Sequence, residues 1–244
     1  MNALKQAILA IETSHKQGSV ALGDGTSAPF VVPFSPGLVH ARELQPRIDE
    51  AVANSPFERT DLGLIAVSAG PGSYTGVRIG VATAKALAWG LGVPTLAVST
   101  LGVIARNVTQ PGDFAVVLDA RRDACYGALF RCAETEPGTT TVTRLTEDSL
   151  AAPDEYLGQL PAGTPLVGEG RLTLPGVDQF PLLAPEWDVP QSAHVHALAQ
   201  AQWTAIRDNT TPEPPEFRDP HELVPTYLRA SQAEEMADAR KKGS

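Results

Sequence analysis

The sequence predicts an α/β protein of two lobes built on one repeated unit. Three observations carry that prediction. Between residues 64 and 98 an apolar run, a glycine-rich break, a small-residue helix and a second apolar run follow one another. The succession of three strands, helix, strand and helix occurs twice along the chain, with little residue identity between the copies. The bulk composition is that of a globular protein with a sizeable core: 244 residues, 43% hydrophobic and 19% charged. A first lobe is expected over residues 1–108 and a second over 109–208, followed by a Pro-rich connector and tail over 209–244.

In the first copy, Ala7 to Glu12 reads as a strand. The polar turn Thr13 to Gly18 joins it to a second strand, Ser19 to Leu22, and Phe30 to Phe34 makes a third. A helix is expected over His40 to Ala53, because Leu44, Ile48, Ala51 and Val52 recur on one face; Pro46 lies in its early turns. Leu64 to Ala69 has the unbroken apolar character of a strand covered on both faces. Gly70-Pro71-Gly72 ends it, and Ser73 or Thr75 stands where a helix cap belongs. The following helix is expected from about Gly76 to Leu91, stopped by Gly90 and Gly92, with Pro94 opening the next strand. Thr100 to Asn107 reads as a short helix.

The pattern then starts over. Phe114 to Asp119 is an apolar strand ending in a carboxylate, as the first strand ends in Glu12. After the turn Arg121-Arg122-Asp123 come strands at Tyr126 to Arg131 and Thr140 to Leu145. A helix over Asp154 to Leu160, a short strand over Pro165 to Val167, the sequence Gly168-Glu169-Gly170 and a helix over Ser192 to Ile206 complete the unit. Residues 209–225 are rich in Pro and charge, Leu223 to Leu228 is expected to add a last ordered piece, and residues 232–244 are expected to fray.

The central helix lacks a broad polar face: only Arg78, Thr83 and Lys85 interrupt its apolar and small residues. Gly76, Gly80, Ala84 and Ala88 recur every fourth residue, so a backbone can approach that face closely. Two readings stand: close packing inside one domain, or packing on another subunit.

Charge and composition narrow the chemistry. A net charge of −9 argues against gripping nucleic acid through a broad basic surface. Cys125 and Cys132, on or beside one strand, read as small apolar residues rather than as a bridge. No stretch is long and apolar enough to span a bilayer, and the opening MNALKQAILAIE does not read as a signal peptide, so a cytoplasmic protein is expected.

The glycine loop departs from known phosphate-binding patterns. Val77, not Lys, follows Gly76, and three residues rather than two separate Gly72 from Gly76. Ser73 follows Gly72 directly, so no nucleophile elbow is present. Of His15, His40, His194, His196 and His221, none is visibly paired with a nucleophile and a carboxylate. His194 and His196 could share one side of an extended segment as metal ligands, but they also suit a solvated helix start, and further ligands are missing. Glu12 and Asp119, at equivalent strand ends, could face each other across a cleft or simply cap turns.

The segments AILAIETSHKQGSVAL and VSAGPGSYTGVRIGVATAKALAWGLGVPTLAVSTL together resemble the TsaB, or YeaZ, family. VVLDARRDACYGALF resembles that family's second-lobe opening and VPTYLR its C-terminal motif; the likeness is weakest over residues 133–215. The resemblance implies the duplicated actin, sugar-kinase and Hsp70-like fold and a role in making threonylcarbamoyladenosine in tRNA. It implies a non-catalytic partner of the paralogous transferase TsaD, with a TsaE-like ATPase as further component, a homodimer when alone, and tRNA reached only through the complex. TsaD holds its metal through two histidines spaced H-x-x-x-H. The corresponding positions here are Thr100 and Ile104, which cannot form that site, so no metal and no intrinsic cofactor are expected. Whether a nucleotide sits at the interface with TsaD stays open. The first-lobe helices are the implied contact surface, through Leu44, Ile48, Val52, Gly76, Arg78, Gly80 and Ala84. A nucleotide-binding kinase or ATPase of the same fold, a glycoprotease-like peptidase and a purely structural dimer are the alternatives.

Overall fold

The computed structural model describes residues 7–35, 40–208, 210–213, 217 and 219–228. The frayed end expected over residues 232–244 lies outside them. The first half carries β1 (Ala7–Glu12), β2 (Ser19–Gly23), β3 (Phe30–Pro33), α1 (His40–Asn54), β4 (Leu62–Gly70), α2 (Tyr74–Leu91), β5 (Thr95–Ser99) and α3 (Thr100–Ala105). The second half carries β6 (Gly112–Asp119), β7 (Cys125–Glu136), β8 (Thr139–Arg144), β9 (Ser149–Ala151), α4 (Pro153–Gln159), β10 (Leu166–Val167) and α5 (Ser192–Arg207).

Two sheets result. The first has the order β3-β2-β1-β4-β5, the second β10-β6-β7-β8 with β9 added on β7. In each, an antiparallel meander leads to a parallel pairing on the first strand of the unit: β1 with β4, and β6 with β10. This is the duplicated α/β architecture expected from the repeat, of the actin, sugar-kinase and Hsp70-like kind. Strand β9 was not expected; its three residues are anchored by pairing with Cys125, Tyr126 and Gly127, a tertiary contact that leaves no period in the sequence.

Side-chain alternation assigns the core. Leu9, Ile11, Ile65 and Val67 point to one face of the first sheet, against Leu44 and Ile48 of α1 and Val77, Val81, Ala84 and Ala88 of α2. Ile8, Ala10, Leu64 and Ala66 point to the other, against Val103 of α3 and Val195, Ala199 and Trp203 of α5. Covering on both faces explains why β1 and β4 are buried along their whole length. Helix α5, which its place in the chain groups with the second lobe, therefore packs on the first sheet. Helix α3 serves both sheets. Val103 faces the first, while Leu101, Ile104 and Ala105 pack with Phe114, Val116 and Phe130 of the second.

Candidate functional site

The region between β4 and α2 is closed by the chain itself. Ser73 caps α2, its hydroxyl accepting from the Gly76 N–H at 3.3 Å. The Ser73 N–H donates to the Ser14 carbonyl and the Val77 N–H to the Ser73 carbonyl, each at 2.8 Å. Three of the amides around this helix start, those of Ser73, Gly76 and Val77, are thus spent on the chain's own groups. Gly70 has a φ of 112°, and Gly72 lies so near the β1–β2 turn that a Cβ there would stand 2.6 Å from the Ser14 carbonyl oxygen. Pro71 follows Gly70 through a cis peptide bond.

Thr100 and Ile104 are sealed within the protein. The Thr100 hydroxyl lies 2.8 Å from that of Ser68 on β4, and Ile104 is a core residue of the second sheet. An apolar side chain clamped among Phe114, Val116 and Phe130 offers a metal nothing, so the histidine-held site of a transferase does not fit here. Among the described residues no group of three or more His, Cys, Asp and Glu could hold a metal ion.

The two strand-end carboxylates act within their own turns. Glu12 Oε1 accepts from the Ser14 N–H at 2.6 Å and from its hydroxyl at 2.5 Å; Asp119 Oδ1 accepts from the Arg121 N–H at 2.7 Å. The same i to i+2 capping in both halves is a trace of the duplication. Glu12 is wholly buried, and its Oε2 lacks a partner at hydrogen-bond geometry. Burial pushes its carboxyl above the ordinary value, against hydrogen bonds from Ser14 and Ser68 and the charge of His15.

The histidines are scattered. His15 Nε2 reaches across to Glu169 Oε2 at 3.4 Å, linking the first hairpin turn to the 3-10 turn Glu169–Leu172 of the second half. The His40 ring lies 2.7 Å from the His15 carbonyl oxygen through Nε2. His194 and His196 do not share a side: they lie two residues apart on helix α5, not on an extended segment. Burial holds both imidazoles below their ordinary value, with Arg106 adding to this for His194.

Five of the seven residues expected at a partner surface serve the first-lobe core. Leu44 and Ile48 press on the sheet. Gly76, Gly80 and Ala84 are buried, and a Cβ on Gly76 or Gly80 would run into Thr13. The small-residue stripe lets α2 lie against β1 and its turn, so the reading of close packing within the domain accounts for it. Val52 is half-buried and Arg78 exposed. The outward side of α2 is a different strip: Tyr74, Arg78, Ala82, Ala86 and Trp89, the last 71% exposed.

The last ordered piece expected over Leu223 to Leu228 lies beside that strip, and its contacts there are what sequence reasoning missed. Leu223 is buried in the first-lobe core, and the Thr226 N–H donates to the Ala69 carbonyl at 2.7 Å. Lys85 Nζ donates to the His221 carbonyl at 2.8 Å, and Arg78 Nε to the Tyr227 hydroxyl at 2.6 Å. The signals were Leu223, Val224 and Leu228 standing in an otherwise Pro-rich and charged stretch, and the likeness of VPTYLR to a family motif. Among the described residues no helix is long and apolar enough to cross a membrane.

Comparison with known proteins gives this arrangement a context. The model of the family described as "TsaD: tRNA N6-adenosine threonylcarbamoyltransferase" matches residues 30–210. The tRNA threonylcarbamoyladenosine biosynthesis protein TsaB of Bacillus subtilis is 38% identical over 127 residues, 51% of this chain and 55% of that protein. TsaB of Escherichia coli is 37% identical over 130 residues, 51% of this chain and 54% of that protein. The match spans about half the length of these two relatives. In structure, YeaZ from Pseudomonas aeruginosa superposes with a TM-score of 0.72 at 24% identity, over 91% of this chain and 100% of that one, which fixes the fold.

Proposed function

Since this chain belongs to the family of TsaD, the tRNA N6-adenosine threonylcarbamoyltransferase, as a TsaB-type (YeaZ-type) member of it, we propose that it works in threonylcarbamoyladenosine biosynthesis as the partner of a TsaD-like transferase. The observation that carries this reading is the fate of Thr100 and Ile104. The first is tied to Ser68, and the second is packed in the core, where a catalytic member of the family would place imidazoles. A chain that keeps the fold and fills the metal site with core residues has its contribution to make through its surface.

That surface is the outward strip of α2 with the exposed side of α1. Leu44, Ile48, Gly76, Gly80 and Ala84 act behind it, by setting how the two helices lie on the sheet. Val52 and Arg78 take part directly. Aromatic and arginine side chains such as Trp89, Tyr74 and Arg78 are the types that carry most of the energy of protein interfaces. A second copy of the chain and the transferase compete for this strip; a TsaE-like ATPase and tRNA join through the complex, in the cytoplasm.

Reconstitution tests the reading. The chain is combined with the TsaD-like and TsaE-like proteins of the same organism, threonylcarbamoyl-adenylate, ATP and tRNA, and each component is omitted in turn. Modification is expected to require this chain, and this chain alone to modify nothing. Modification by this chain alone, or full modification without it, overturns the proposal.

A further inference from the structure

Residues 219–228 are tied to the first lobe at four points, two of them on α2. Leu223 is anchored in the core, the Thr226 N–H holds Ala69, the His221 carbonyl accepts from Lys85, and Tyr227 meets Arg78. The last contact is elaborate. The Arg78 guanidinium lies 4.0 Å from the centre of the Tyr74 ring and 5.6 Å from that of Tyr227, and the two ring centres are 5.6 Å apart. Nε is spent on the Tyr227 hydroxyl. An arginine on a helix surface has many rotamers; this one is steadied by Tyr74, one turn before it on α2, and by Tyr227, 149 residues away in sequence.

Tyr74 and Tyr227 remain 46% and 45% exposed, and among the described residues no carboxylate pairs with Arg78. On a chain of net charge −9, a pinned guanidinium whose fork is not spent on a carboxylate is a recognition element. The geometry points to Tyr74, Arg78 and Tyr227 forming a preorganised anchor for a carboxylate on the TsaD-like partner, with residues 219–228 as a strap that completes the docking strip. This rests on the docking reading above and deepens it. Tyr227 is a positioning residue; Arg78 makes the contact.

The test is calorimetric titration of the full chain with the TsaD-like protein of the same organism, at low and moderate salt. Arg78→Lys, which keeps charge but not the fork, is expected to bind about tenfold more weakly. Tyr227→Phe, which keeps the ring but frees the guanidinium, is expected to lose about threefold to tenfold. Arg78→Gln is expected to flatten the salt dependence, a change that a merely structural role would not produce. Melting temperatures are expected to stay at the wild-type value. Wild-type affinity in both Arg78→Lys and Tyr227→Phe overturns the anchor and leaves docking standing. Absence of binding by the wild-type chain overturns docking and the anchor together. If sedimentation shows these variants separating a pair of copies while the titration is unchanged, the occupant is a second copy and the assignment to the transferase fails.

Discussion

The hydroxyls of Thr100 and Ser68 lie 2.8 Å apart, and both side chains are sealed from solvent. This pair ties the start of α3 to β4, at one of the two positions where a transferase of the family would carry a histidine. Thr100→Val is expected to destabilise the protein by about 1–2 kcal/mol, because it strands a buried hydroxyl. Adding Ser68→Ala is expected to recover part of that loss. Chemical denaturation of the two single variants and the double variant measures the coupling. Additive losses would show that the hydroxyls do not act as a pair.

Gly76 and Gly80 face the same residue in different ways. A Cβ on Gly76 would stand 2.0 Å from the Thr13 carbonyl oxygen, which belongs to the backbone. One on Gly80 would stand 2.3 Å from Thr13 Oγ1, which can rotate away at the loss of its 2.8 Å bond to the Gly76 carbonyl. Gly76→Ala is therefore expected to cost about 3 kcal/mol or more, and Gly80→Ala about 1–2 kcal/mol, beyond the helix propensity that alanine adds. Urea midpoints give the order, and a Gly80→Ala midpoint at or below that of Gly76→Ala contradicts it.

Glu12 gives stability a sign of pH dependence opposite to that of a surface carboxylate. Burial raises its folded pKa above the ordinary 4.5. Its contribution is therefore fully present below 4.5 and is lost as pH rises through the folded value. Asp24, Glu43, Asp113 and Glu169 are held below their ordinary values by hydrogen bonds, and they act in the other direction. The difference between Glu12→Gln and wild type isolates the buried group. The stability of the variant relative to wild type is expected to climb as pH rises above 4.5. A flat difference would mean that Glu12 keeps an ordinary pKa.

The turn after β10 depends on one buried ion pair. Arg171 Nη2 lies 2.7 Å from Asp188 Oδ2, its Nε 2.8 Å from both carboxylate oxygens, and the Gly168 N–H donates to Oδ1 at 2.7 Å. Asp188→Ala is expected to cost about 3–5 kcal/mol, since it leaves a buried guanidinium unpaired. The double variant with Arg171→Leu is expected to be more stable than Asp188→Ala alone. Thermal unfolding of both decides this.

Trp89 separates docking from folding. At 71% exposure it contributes little to the core, so Trp89→Glu is expected to change stability by no more than about 0.5 kcal/mol. The same variant is expected to abolish the complex with the TsaD-like protein, and co-elution on size exclusion reads the outcome. A complex that survives Trp89→Glu moves the interface off this strip.

The sequence by itself determined the elements and their repetition. β1, α1, β4 and α5 lie within about two residues of where their hydrophobic period places them, because that period is a local property set by which faces must be covered. The loss of the two histidine positions was also legible, since it is a matter of residue type. Tertiary structure decided what the residues face. The stripe of Gly76, Gly80 and Ala84 leaves both core packing and an interface open until Thr13 is seen against it. The packing of α5 on the first sheet, the pairing of β9 and the meeting of Tyr227 with Arg78, 149 residues apart, join segments whose sequences carry no mark of one another. Local pattern fixes which side of an element is buried; only the path of the whole chain fixes what it is buried against.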